Sequence, residues 1–323
     1  MENVGIDIAK RKFDLLWVSS STNKRRSKVF DNSPAGFKEM FAWLAKCGLV
    51  PGNTHLAMEA TSQYYEALAE ALFDAGFTVS VVNPLQVKRF GEALMIRQKT
   101  DKADADLIAR FCAQCEPRPW APPPLQVREL QRLVARLDAV QDMLVQEKNR
   151  RYVSQGVTLE SVERMIGSLQ DEQDLVKSMI KDHIDRHPDL HDQQELLCSI
   201  PGVAERLSAY FMAWLPVDRF EDVREAVAFI GLSPRHCESG DSIHRKARLC
   251  KQGHARLRKM LYMPAMAAIR CNAAAQAMAK RLRENGKRGK IVIAAVMRKL
   301  VHWMIGVLKA GVKFDPNLAL AKS

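Results

Sequence analysis

The chain has 323 residues, of which 47% are hydrophobic, and a formal net charge of +12, which excludes a disordered protein and leaves room for two domains. The charge is regional: between Arg235 and Lys299 seventeen Lys/Arg stand against the acids Glu238, Asp241 and Glu284, an excess of fourteen that leaves the rest of the chain at −2. With no run of about 18 uninterrupted apolar residues and no signal-like start in Met1-Glu2-Asn3-Val4, the reading is a cytoplasmic protein with a polyanionic partner and no membrane.

Residues 4–8 and 13–18 read as strands joined by the turn Ala9-Lys10-Arg11-Lys12, and Lys28-Val29-Phe30 adds a third. Ser33-Pro34 caps a helical pattern that puts Phe37, Met40, Phe41 and Leu44 on one face and ends by Gly48 and Pro51. A strand over 54–58, a helix over 63–75, a buried strand over 78–82 and a helix opened by Asn83-Pro84 follow. The order β-β-β-α-β-α-β-α predicts a mixed sheet with helices packed on it. Arg118-Pro119-Trp120-Ala121-Pro122-Pro123-Pro124 cannot continue a helix, because proline removes an amide donor and fixes φ, and it marks the clearest boundary. Beyond it Leu130, Leu133, Leu137, Val140 and Leu144 recur at coiled-coil spacing. Leu159, Val162, Ile166, Leu169, Val176 and Ile180 continue a similar seam after Gln155-Gly156. The alternative is that both helices pack on their own domain. After His187-Pro188 the pattern is mostly helical.

Four carboxylates are spaced like the metal-binding set of a ribonuclease H-type nuclease. Asp7 ends one apolar run and Glu59 a second, and Asp101 and Asp104 lie one helical turn apart, behind Thr100 as a cap. Strand alternation puts Val4, Ile6 and Ile8 on one face and Gly5 and Asp7 on the other. If the strands ending in Asp7 and Glu59 are neighbours, the acids converge at one sheet edge. There they repel unless divalent cations, here Mg2+, neutralise them, and that chemistry suits phosphodiester cleavage. Asp106 is a nearby competitor that faces elsewhere on its helix. An actin-like phosphotransferase also opens with Gly-Ile-Asp, but Ile8-Ala9-Lys10 supplies no small or hydroxyl residues to cradle phosphate.

In the basic region, Ser199-Ile200-Pro201-Gly202-Val203 reads as a turn between helices that either presents amides to phosphate, as in helix-hairpin-helix elements, or serves only as a hairpin. Ser239 precedes Gly240 in a polar loop, close in sequence to Arg235, Arg245, Lys246 and Arg248, and Ser242 is an equal candidate on composition. A serine hydroxyl can attack a phosphodiester if its proton is taken up and cations meet the charge at phosphorus. Lys251, Arg258, Lys287, Arg288 and Lys290 are further candidate phosphate contacts, and the scarcity of aromatics points to a structured duplex. Seven cysteines, an odd and scattered set, indicate reduced thiols. Cys112-x-x-Cys115 has no second pair at zinc spacing, and His236, Cys237, Cys250 and His254 are irregularly spaced.

Gly5-Ile6-Asp7, Glu59-Ala60-Thr61, Thr100-Asp101-x-x-Asp104-Ala105, Ile200-Pro201-Gly202, Gly231-Leu232-x-Pro234, Ser239-Gly240, and Lys251-x-Gly253 with Leu257-Arg258 together resemble, in order and over nearly the whole chain, the DEDD transposases of the insertion sequence 110 family. Where that family usually has a glycine after Glu-Ala-Thr, this chain has Ser62. The resemblance implies an α/β plus all-α protein. Its parts would be a RuvC-like (ribonuclease H-like) domain over 1–124, a helical coiled-coil arm over 125–188 and a mainly helical, basic transposase domain over 189–323. It implies Asp7, Glu59, Asp101 and Asp104 as Mg2+-binding catalytic acids and Ser239 as nucleophile. The implied partners are donor and target double-stranded DNA, a structured bridge RNA that pairs with both, and further protomers, with a homodimer assembling into a tetramer. Two other readings stand beside it: a RuvC-type junction nuclease in which water attacks, and a DNA-bridging protein with degenerate sites.

Overall fold

The computed structural model describes residues 1–19, 22, 24–60, 64–95, 101–215, 217, 220–239 and 243–321, with the side chains of 101, 102, 236–239, 243–247, 318, 320 and 321 outside that description. The chain divides into two compact units, Met1–Pro123 and Pro124–Ser323.

The first unit is built on a five-stranded sheet of order β3-β2-β1-β4-β5. β1 (Glu2–Ile8), β2 (Lys12–Val18) and β3 (Arg25–Asp31) form an antiparallel meander, while β4 (Thr54–Glu59) and β5 (Thr78–Val82) run parallel to β1. The helices are α1 (Pro34–Lys46), α2 (Glu66–Asp74), α3 (Pro84–Ala93) and α4 (Asp101–Cys115). This mixed α/β unit is consistent with the ribonuclease H-like expectation, and the element order matches the sequence reading. Local chemistry sets the helix starts. Ser33 accepts from the Gly36 amide and Asn83 from the Leu85 amide, each directly ahead of a proline that needs no amide partner.

Period-two alternation divides the sheet's two faces. Val4, Ile6, Phe13, Leu15, Leu56 and Met58 pack with Met40, Leu44, Leu68 and Leu72 in one core, and each such side chain contributes roughly 1.5–3 kcal/mol. The opposite face is lined by smaller residues: Leu16 meets Ala105 and Ala109, and Ala57 meets Ile108 and Cys112. The proline-rich segment is tied to the sheet edge by Trp120, whose amide donates to Val79 O at 2.7 Å. Buried Ser80 Oγ donates toward the carbonyls of Pro117 and Arg118 and bonds His55 Nε2 at 2.8 Å.

The second unit is mostly helical: α5 (Leu125–Arg151), α6 (Gly156–Asp185), α7 (Pro188–Cys198), α8 (Glu205–Trp214), α9 (Val223–Ile230), then the antiparallel strands β6 (Pro234–Ser239) and β7 (Ile243–Leu249), then α10 (Ala255–Cys271), α11 (Ala273–Glu284), α12 (Gly289–Ala310) and α13 (Pro316–Ala321). Leu130, Val134 and Leu137 of α5 and Val176, Ile180 and Ile184 of α6 belong to the same core as α7 to α12. The near halves of the two long helices therefore pack on their own unit. Toward their joined ends Val145, Tyr152, Val153, Val157 and Met165 are exposed. α12 is long and apolar enough by composition to cross a membrane. Here Val296, Leu300, Val301, Met304 and Ile305 are buried and the helix packs against α7, α9, α10 and α11, as the central core helix of the unit.

Candidate functional site

The register of β1 with β4 runs Gly5↔Ala57 and Ile6↔Met58. Asp7 and Glu59 therefore sit one step further along adjacent parallel strands about 4.8 Å apart, on the face that carries Gly5 and Ala57. Helix α4 crosses that face in close contact. A Cβ on Gly5 would lie 2.1 Å from Ala105 O and 2.4 Å from Ala109 N, and Cys112 Sγ approaches His55 O at 3.9 Å. These contacts fix the helix direction. Cys112 lies beside the start of β4 and Ala105 beside Gly5, so α4 runs opposite to β1 and β4. From His55 to Glu59 the strand advances about 13 Å, and from Cys112 to Asp104 the helix advances about 12 Å. The structure thus brings Asp7, Glu59 and the turn from Asp101 to Asp104 to one end of the sheet.

Asp7, Glu59 and Asp104 are half-buried. Among the described residues no three His, Cys, Asp or Glu side chains stand close enough to share a metal ion. The side chain of Asp101 lies outside the described residues, as do Thr61, Ser62 and Thr100. A donor set made only of carboxylates suits a hard, oxygen-preferring divalent cation. Asp106 is engaged elsewhere, with Arg110 at 2.8 Å and Arg25 at 3.3 Å.

In the second unit Ser239 is the last residue of β6, paired with Ile243, rather than part of a polar loop as the sequence suggested. Gly240, Asp241 and Ser242 and the side chain of Ser239 lie outside the described residues. The ladder runs from Pro234↔Leu249 at its base to Ser239↔Ile243, with an irregularity between Arg235 and Cys237. Ser239 is therefore about 17 Å from the base. The base is tightly interlocked. Cys250 N donates to Ser233 O at 2.9 Å, Lys251 N to Gly231 O at 3.2 Å and His254 N to Phe229 O at 2.8 Å. Gly231 ends α9 at φ 78°, and a Cβ on Gly253 would lie 2.2 Å from Phe229 O. Arg258 Nη1 donates to Ile230 O at 2.8 Å, so this guanidinium holds the base together besides its expected role toward phosphate.

Family models match both units. The DEDD transposase model for IS110 matches residues 4–152, and the model described as Transposase IS116/IS110/IS902 family matches 194–280. The chain is 30% identical over 317 residues to the pilin gene-inverting protein of Moraxella bovis, covering 98% of both chains, and equally to that of Moraxella lacunata. It is 29% identical over 149 residues to the putative transposase y4uE of Sinorhizobium fredii, 43% of this chain and 40% of that one. The chain belongs to the IS110 family of transposases. As an IS110-family transposase it is a DNA transposase/recombinase, and its substrate is DNA.

The other expected contact residues of this transposase lie in the second unit. Arg235, Arg248, Lys251, Lys287, Arg288 and Lys290 are exposed, and the side chains of Arg245, Lys246, His236 and Cys237 lie outside the described residues. The Pro201-Gly202 turn packs inward, since a Cβ on Gly202 would lie 2.8 Å from Ala268 Cβ. Cys112 is a core thiol, pushed up to about 12 by burial, whereas Cys115 is exposed, so the two do not act as a pair. Sequence reasoning missed the group around Asp138, which accepts from Tyr210 Oη and pairs with Arg256 at 3.4 Å. Burial and Asp138 together raise the Tyr210 phenol. No local pattern signals this group, because Tyr210 lies 72 residues from Asp138 in the chain.

Proposed function

We propose that this transposase cuts and rejoins donor and target DNA through a covalent serine link, with Ser239 as nucleophile and Asp7, Glu59, Asp101 and Asp104 as the acids that hold Mg2+. The observation that supports the metal-holding part of the reading is that Asp7 and Glu59 end adjacent strands at the sheet end to which α4 brings its first turn. Bound Mg2+ would act as a Lewis acid on phosphate oxygens. Ser239 Oγ attacks phosphorus, the new O–P bond replaces the bond to the leaving sugar oxygen, and the serine proton passes to solvent while that oxygen leaves as a hydroxyl. Because one phosphoester replaces another, rejoining is the same step in reverse. Exposed Arg235 and Arg248 pair near the base of the hairpin, about 13 Å along the strand from Ser239, and so suit backbone phosphates flanking the attacked one.

Family membership supports a structured bridge RNA as guide. It also supports a division of labour among a RuvC-like domain, an arm of α5 and α6 and a basic transposase domain, acting as a homodimer that forms a tetramer in the cytoplasm on nucleoid DNA. Exposed apolar residues near the joined ends of α5 and α6 suit contact between protomers. The test is a joining assay with Mg2+, guide RNA and duplex donor and target. Ser239→Ala and Asp7→Asn should each abolish joined product, and omission of the RNA should abolish site choice. Cleavage that persists in Ser239→Ala would favour a RuvC-type nuclease with water as nucleophile.

A further inference from the structure

A cleft of about 950 Å3 opens in the second unit where the middle of α5, the start of α8, the base of the β6–β7 hairpin and the first halves of α10 and α12 meet. Its volume lies within the range of sites that enclose one small organic group, about 300–1,000 Å3. Leu207, Met260, Ile293 and Met297 give it an apolar interior, and Tyr262 and Met263, 41% and 63% exposed, stand at its mouth. Lys251, Lys259 and Lys290 line it and are exposed. None of the three takes part in an ion pair among the described residues. The wall opposite is fixed. Asp138 is held by Tyr210 and Arg256, Arg206 bonds Gln141, and the exposed carboxylate of Asp142 lies beside them.

Apolar surface with thioethers and one tyrosine accepts a flat ring, ammonium groups accept phosphate, and carboxylate and amide oxygens accept N–H donors on a ring edge. One ligand joins all three, namely a nucleotide within a strand. It must be unpaired, because in a duplex its faces are covered by neighbours and its edge by its partner. Resting on the nucleic-acid reading above, we infer that the cleft receives one unpaired nucleotide of a polynucleotide, its base against Met260, Ile293 and Met297 and its flanking phosphates on Lys251, Lys259 and Lys290. The scarcity of aromatics argued for duplex alone, and the cleft adds a place where methionine serves the stacking role.

RNA and DNA share this chemistry, so the test uses both. Binding of the full chain to fluorescent hairpins with one bulged nucleotide is compared with binding to fully paired hairpins of the same length. The native protein should prefer the bulged form by about fivefold or more, the effect of one stacked base. Lys259→Glu with Lys290→Glu, both at exposed positions, should remove that preference. Lys280→Glu, exposed on α11 and outside the cleft, should weaken both hairpins alike and keep it. A preference with RNA, DNA or both identifies the source of the nucleotide. Equal binding of bulged and paired forms by the native protein, or a preference that survives the double charge reversal, overturns the inference. Failure to bind any polynucleotide overturns the nucleic-acid reading beneath it.

Discussion

Gly5 lacks a side chain where helix α4 lies against the sheet, and its neighbours on the helix side are backbone atoms that cannot rotate aside. Gly5→Ala should destabilise the first unit by about 1–3 kcal/mol, as overpacking does, and should weaken DNA cleavage by moving Asp104 away from Asp7. Urea unfolding measures the first effect. Gly167 on α6 has no atom within 4 Å of its Cβ position, so Gly167→Ala should instead stabilise by about 0.5–1 kcal/mol. A second residue sets a pH dependence. His254 Nδ1 accepts from the Leu257 amide at 3.2 Å, its ring lies 5.2 Å from Trp214, and burial, then Arg256, lower it from 6.5. The unfolded chain takes up that proton first, so the stability is full above about pH 6.5 and is lost as pH falls below it. His55 and His302, also lowered by burial, act in the same direction. The melting temperature should drop between pH 7.5 and 5.5, and His254→Asn, which keeps a capping acceptor, should make that drop shallower.

At the scale of elements, the β6–β7 hairpin carries Ser239 at the end of its ladder far from the base, and its placement depends on the interlock of 229–233 with 250–254. Gly253→Ala brings a Cβ to 2.2 Å from Phe229 O at φ 139°, so it must displace the hairpin base. DNA joining should fall by at least about tenfold, while the urea unfolding of the first unit stays unchanged. This hairpin was not legible as strand, because Arg235-His236-Cys237-Glu238 and His244-Arg245-Lys246 carry no apolar alternation, and a two-stranded ribbon need not bury a face. The sheet of the first unit was legible almost residue by residue. Val4, Ile6 and Ile8 alternate with Gly5 and Asp7, and Ser33-Pro34 and Asn83-Pro84 announce the helices that follow. The seam of α5 was legible too, but its partners were not, since heptad spacing is shared by a free arm and by a helix packed on its own core.

Across the whole molecule, the four candidate acids Asp7, Glu59, Asp101 and Asp104 lie in Met1–Pro123 and most of the excess positive charge in the second unit. That separation suits the proposed function, in which cations would approach phosphate while the carboxylates would hold metal. The positions of Asp7 and Glu59 at strand ends and of Asp101 and Asp104 in the first turn of a helix could be read from the sequence because these are local features. The opposite run of α4 could not, since it depends on Gly5 meeting Ala105 and Ala109 a hundred residues later. The cleft around Asp138 and Lys259 was equally hidden, because five separate elements build it. The measurement that tests the account most directly is denaturing electrophoresis of the protein with Mg2+, guide RNA and labelled duplex DNA. A denaturation-resistant protein–DNA adduct that disappears in Ser239→Ala and in Asp7→Asn is the predicted result. Cleaved DNA without adduct, or an adduct that survives Ser239→Ala, would contradict it.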